Sequence, residues 1–217
     1  MGSIVDVAMN VSLRMKMVIL VNALVVIVCI CMGVLGYRSA DEGFGVSLQM
    51  KADSNVQSIL EIMEYKYPGD WQIINGDLFK GDEKITGNES IVDYMGDMCK
   101  GHVTIFQNDT RIATTVKKAD GQRSTGTKAS EKVINEVLRG GKSYTGVADV
   151  LGSEYNCAYA PIKNSSGSAI GMVFVGLPAA GMDIQKKFIM SVIIAGLIIM
   201  AVLGIFSWVA IGKEMNN

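Results

Sequence analysis

The stretch from Thr104 to Thr114 reads T-I-F-Q-N-D-T-R-I-A-T, and its reading decides the fold. β-Branched and aromatic residues on both sides of Asn108-Asp109 favour extended backbone, while Asn and Asp tolerate the conformations of a tight turn. The stretch therefore predicts two antiparallel strands, His102 to Gln107 and Arg111 to Val116, joined by a short loop. Downstream, Tyr144 to Val150, Tyr155 to Ile162 and Ala169 to Val175 have the same character, with turn residues at Leu151-Gly152 and Asn164 to Gly167. Together they predict a five-stranded antiparallel sheet.

Upstream, Trp71 to Ile74 and Asp77 to Lys80 flank Asn75-Gly76, a strong hairpin signal because a type I′ turn needs positive φ at both central residues. Before them, Val56, Ile59, Leu60, Met63 and Tyr67 fall on one stripe of a helix that Pro68-Gly69 ends. Asn88 and Ser130 are placed to cap two short helices, the first running to about Met98 and the second ending at Gly140-Gly141. The class is α+β: a long N-terminal helix feeding a five-stranded antiparallel sheet.

The 217 residues are 49% hydrophobic and 19% charged, more apolar than a soluble domain of this length supports. Two uncharged runs account for the excess: Met17 to Gly36 and Phe188 to Ile211, each long enough to cross a membrane once as a helix. A cleaved signal peptide is the other reading of the first run, but the run exceeds the usual apolar core of such peptides and no A-x-A-like site follows it. Arg14 and Lys16 precede the first run and direct its start to the cytoplasm. The expected organisation is a cytoplasmic N-terminus (1–16), a first span (17–36), an extracellular domain (37–187), a second span (188–211) and a cytoplasmic stub (212–217). The domain carries 17 Lys/Arg against 19 Asp/Glu, a near balance that argues against nucleic acid as a partner.

No Walker loop, GxSxG or HExxH pattern is present, and with a single histidine the only nucleophile pairs available are His102 with Cys99 or Cys157. The chain is expected to bind rather than catalyse, and to need no cofactor or metal. Cys99 and Cys157 are either paired or free buried thiols; Cys29 and Cys31, two residues apart in the first run, point to different helix faces.

Arg111 is the leading candidate for contact with a ligand. Strand alternation puts its side chain on the face of Ala113 and Thr115, opposite Ile112, Thr114 and Val116, so small neighbours leave room beside a guanidinium whose planar fork matches a carboxylate. The competing reading is a structural ion pair with Asp93, Asp97 or Asp109. Tyr155, Cys157 and Tyr159 alternate onto one face of a later strand and Tyr144 opens the strand before it, as ligand-facing hydroxyls or as core aromatics. Arg123 and Lys128 lie in a glycine-containing loop, either gating a pocket or simply solvated.

In order and spacing, T-I-F-Q-N-D-T-R-I-A-T (Thr104 to Thr114), D-G-Q-R-S-T-G-T-K-A-S (Asp120 to Ser130), V-L-R-G-G-K-S-Y-T-G (Val137 to Gly146), Y-A-P-I-K (Tyr159 to Lys163) and I-G-M-V-F-V-G (Ile170 to Gly176) resemble the extracellular single Cache sensor domains of bacterial chemoreceptors. With both apolar runs, the chain resembles the N-terminal sensory half of a methyl-accepting chemotaxis protein; related PAS-like sensors also sit on histidine kinases. The resemblance implies a homodimer, a small-molecule ligand, an arginine on the strand of Arg111 that grips organic acids, and transmission through the second span. Such receptors continue into a HAMP linker and a long helical hairpin, whereas six residues follow Ile211 here. The expectation is therefore the sensor part of a larger product with a cytoplasmic signalling partner, a truncated receptor, or a membrane-tethered binding protein without an output of its own.

Overall fold

The computed structural model describes residues 13–150, 152–178, 187, 189–199, 201–202 and 204–205. It divides into two compact units, one of residues 1–42 with 181–217 and one of residues 43–180.

Helix α1 (Leu13–Lys66) is continuous and stops just before the helix-breaking Pro68. Its N-terminal part is long and apolar enough to cross a membrane, with Leu20, Leu24, Ile27 and Leu35 exposed. In the same unit, the apolar helix α4 (Ile189–Ile199) approaches α1 at Gly33, where a Cβ would lie 3.1 Å from the Cδ1 of Ile193. Residues 206–211 of the second expected span lie outside the described residues.

In the other unit, β1 (Trp71–Ile74), β2 (Asp77–Lys80) and the two-residue β3 (Glu83–Lys84) form a small antiparallel sheet. The turn between β1 and β2 has φ of 53° at Asn75 and 90° at Gly76, the double positive φ expected of this dipeptide. Helix α2 (Glu89–Cys99) follows. Next come β4 (His102–Gln107) and β5 (Thr110–Thr114), then a helical turn α3 (Glu131–Val133) that runs on as a π-helical segment, Ile134–Arg139. Three strands complete the unit: β6 (Tyr144–Val150), β7 (Ser153–Lys163) and β8 (Ala169–Pro178). The five long strands form one sheet in the order β5-β4-β8-β7-β6, with every neighbouring pair antiparallel. The fold is α+β, as the strand pattern predicts. Neither Asn88 nor Ser130 caps its helix through the side chain; Asn88 instead donates to Glu83 Oε1 (2.8 Å) and accepts from the Ser90 hydroxyl (2.7 Å).

The sheet separates two cores. One face packs Val103, Ile105, Ala113, Val173 and Val175 against α1 and α2. The stripe on α1 is spent here: Val56, Ile59 and Met63 are fully buried, and Leu60 and Tyr67 pack alongside. The other face gathers Phe106, Cys157, Tyr159 and Phe174 beneath Val133 and Val137 of the covering helical segment.

Candidate functional site

The position of Arg111 follows from a β-bulge. Across β4 and β5, Ile105 faces Ala113 while the next β4 residue, Phe106, faces Arg111, leaving Ile112 as the extra residue. Ile112 and Ala113 therefore both belong to the α1 side, and Arg111 lies on the opposite face with Phe106 and Thr114. Uninterrupted alternation would have grouped Arg111 with Ala113 and Thr115. The bulge removes that grouping, and Thr115 is not part of the Arg111 site.

Residues 117–129 fold back along β5 and cover Arg111. The Arg111 N–H donates to the Thr127 carbonyl and its carbonyl accepts from Gly126 N–H, each at 2.9 Å; Ser124 N–H donates to Val116 and Ala129 N–H to Asp109. Three ion pairs, made by two basic residues, fasten this segment. Arg123 binds both carboxylate oxygens of Asp93 on α2 (2.8 and 2.7 Å), reaches Glu89 through Nε (2.8 Å) and donates to the Thr114 carbonyl (2.7 Å). Lys128 pairs with Asp109 at 2.8 Å. Arg123 holds the Asp93 carboxyl below its usual range, and Asp93 raises the affinity of Arg123 for its proton. Arg123 and Lys128 are thus clasps of the covering segment.

None of the three expected acids pairs with Arg111: Asp93 belongs to Arg123, Asp109 to Lys128, and no ion pair among the described residues joins Asp97 to Arg111. Arg111 is 9% exposed and has no carboxylate partner among the described residues. Its Nη1 donates to Thr127 Oγ1 (2.9 Å), its Cζ lies 5.4 Å from the centre of the Phe106 ring, and its Nε is buried without a partner. Burial lowers its affinity for a proton, yet a guanidinium stays charged at any physiological pH. A buried cation without a counter-charge is costly, and an anion beside it removes the cost.

Tyr159 belongs to the same layer. Its ring centre is 6.3 Å from Phe106, 4.9 Å from Phe174 and 6.1 Å from Tyr144. Burial raises the Tyr159 hydroxyl well above its ordinary range, against the pull of nearby Arg111, so it is a neutral donor. Tyr144 is half-buried, with Lys132 Nζ 5.0 Å from its ring centre. Tyr155 packs on the same face but at its other end: four residues before Tyr159, roughly 13 Å along the strand, it meets the His102 ring edge-on at 5.3 Å. His102 also contacts Thr115, its Nδ1 lying 3.1 Å from Oγ1. The structure therefore places Tyr159 near Arg111 and Tyr144 against Tyr159 on the opposite edge strand, β6, and groups Thr115 and Tyr155 around His102.

A groove of about 540 Å³ opens at the His102 end, lined by Asp93, Asp97, Lys100, His102, Thr115 and Pro178 among others. Its charges are mixed and Asp93 is already taken by Arg123, so the unsatisfied charge at Arg111 identifies the stronger candidate site. Phe106, Ser124 and Thr127 surround Arg111 in a way that strand alternation does not reveal. The latter two sit in a loop whose return along β5 has no periodic signature.

No curated protein matches the chain. Solved structures that resemble it include the E. coli DcuS sensor domain (15% identity, TM-score 0.40, covering 64% of this chain and 98% of that one), the ligand-binding domain of the Campylobacter jejuni chemoreceptor Tlp3 in complex with L-valine (14%, 0.40, 71% and 66%), and the periplasmic sensory domain of the C. jejuni chemoreceptor Tlp1 (11%, 0.36, 67% and 58%). Residues 83–188 match the model of the family described as single Cache domain 3. That match takes in β4 to β8 and the segment covering Arg111, so this part of the chain is similar to single Cache domains.

Proposed function

We propose that this chain is the sensory module of a transmembrane chemoreceptor. In this reading residues 37–187 lie outside the cell and bind a small carboxylate-bearing metabolite at Arg111, as a homodimer anchored by the apolar runs 17–36 and 188–211. One observation carries the reading: the buried Arg111 guanidinium has a free donor and no acidic partner among the described residues. A carboxylate there accepts a charge-assisted hydrogen bond and supplies the missing counter-charge, with the Tyr159 hydroxyl and the Tyr144 edge as further contacts. Binding ties β5 more firmly to residues 117–129. β5 pairs with β4 and β4 with β8, so a shift of the hairpin reaches Pro178, from which the chain continues toward the second apolar run. Binding without catalysis fits the thiols of the sensor unit: Cys99 and Cys157 are both buried, and burial raises both pKa values, away from the thiolate that chemistry needs.

The test is isothermal titration of organic acids into the sensor unit and its Arg111→Ala and Arg111→Lys forms, beside melting curves without ligand. Arg111→Ala is expected to cost about 2 to 5 kcal/mol of binding, and Arg111→Lys to recover part of it, because a point charge cannot reproduce the planar fork. The ligand-free melting temperature should hold or rise, since an unpaired buried charge is removed. Unchanged affinity in a folded Arg111→Ala domain overturns the assignment.

A further inference from the structure

Two buried side-chain groups in the covered layer have no hydrogen-bond partner, Arg111 Nε and Ser124 Oγ. They belong to one chain of contacts. Arg111 Nη1 donates to Thr127 Oγ1 (2.9 Å), and that hydroxyl donates to the Ser124 carbonyl (2.8 Å), so the two orphaned groups sit on residues only two hydrogen bonds apart. Ser124 is 0% exposed. Its backbone N–H and carbonyl are both used, by Val116 and Thr127, and hold the residue in place whatever its hydroxyl does. A wholly buried hydroxyl without a partner is an expensive feature, and here it adds nothing to the fastening of the segment.

The two groups differ in what they accept. Arg111 is donor only and calls for an anion, whereas a serine hydroxyl both donates and accepts, and so pairs with a neutral hydroxyl or carbonyl oxygen. We infer that Ser124 is a specificity-determining residue of the Arg111 site, reading a second oxygen function close to the ligand carboxylate, as in a 2-hydroxy acid. This rests on the reading of Arg111 as the carboxylate anchor. Thr127 is the positioning residue between them: its hydroxyl accepts from Arg111 and donates to Ser124, fixing both at once.

The experiment uses the full chain in lipid nanodiscs and matched pairs of straight-chain acids of two to six carbons, each unsubstituted and with a 2-hydroxyl group. At the chain length that binds best, the hydroxy acid is expected to bind the unmodified protein about tenfold or more tightly than its unsubstituted partner, because its hydroxyl supplies the partner that the buried Ser124 hydroxyl lacks in the ligand-free protein. Ser124→Ala should bring that ratio near one by weakening the hydroxy acid alone, with the unsubstituted acid unchanged and the ligand-free melting temperature held. Ser124→Thr, which keeps the hydroxyl, should retain the preference for the hydroxy acid. A ratio near one in the unmodified protein, or one that Ser124→Ala leaves intact, overturns the role of Ser124 while Arg111 keeps its own. Binding of neither acid at any length, or equal binding of both by Arg111→Ala, overturns the anchor itself.

Discussion

Arg111 and Cys157 are both buried on the face of the sheet opposite α1, and burial acts on them in opposite senses. Arg111 keeps its charge and lacks a partner for it, which points to a ligand. Cys157 keeps its proton: fully buried and donating to the Gly146 carbonyl at 3.3 Å, its thiol is pushed up to about 11 from an ordinary value of 9.0. Above pH 9 the unfolded chain loses this proton first, so the native state binds more protons and stability falls as pH rises. The contribution is fully present below about pH 9 and is lost on climbing through about pH 11, at roughly 1.4 kcal/mol per unit of pH. Melting curves of the sensor unit between pH 7 and 11 should show this decline, and Cys157→Ala should flatten it. Cys99 and Tyr159, raised by the same cause, keep part of the slope. An equally steep decline in Cys157→Ala would refute the assignment.

The sheet was legible from the sequence because its strands are local: β-branched runs between turn residues leave few alternatives at 102–107, 144–150 and 153–163. The site was legible only in part, and one element accounts for the failure. A bulge adds one residue to one strand without changing composition, so nothing in T-R-I-A-T announces that Ile112 is the extra one, and every side chain beyond it changes face. Arg111 owes its place opposite Phe106 to the bulge itself and Tyr159 lies on β7, outside the disturbed pairing, whereas Thr115 lies beyond the bulge and is parted from Arg111. The return of residues 117–129 along β5 was illegible for another reason. It depends on the contact of Arg123 with Asp93, thirty residues apart in the chain. That clasp is testable at its own scale. A double-mutant cycle of Arg123→Ala and Asp93→Ala should give a coupling near 1 kcal/mol, since the pair is bidentate but Asp93 is half-exposed. Hydrogen exchange at Ser124 and Gly126 should quicken in either single variant, because their N–H groups bond across the interface the clasp closes. Exchange unchanged at both would mean that the backbone pairing along β5 suffices.

Assembly belongs to the whole molecule, and the sensor unit narrows where its interface can lie. The apolar stripe of α1 is consumed within the chain, with Val56, Ile59 and Met63 at 0% exposure. What α1 leaves uncovered in this unit is a different face. Val46 is 56% and Met50 69% exposed, one turn apart, with Ser47, Lys51 and Ser54 beside them. Two such side chains bury of order 100 to 200 Å², worth a few kcal/mol at about 25 cal/mol per Å², less than the roughly 4 to 15 kcal/mol that association costs in solution. The sensor unit alone should therefore be mainly monomeric at micromolar concentration. Anchoring by the apolar runs confines two copies to one plane and raises their effective concentration, so the full chain should pair in membranes. Cysteines introduced at Ser47 or Lys51 should give a crosslinked dimer in membranes at native expression, and sedimentation of the soluble unit should report a monomer. A cysteine at Ala52, which is fully buried, serves as the control and should not crosslink. Absence of crosslinking at both Ser47 and Lys51 would remove this face of α1 as the dimer contact, and crosslinking at Ala52 as strong as at Ser47 would show that the observed pairs come from unfolded chains.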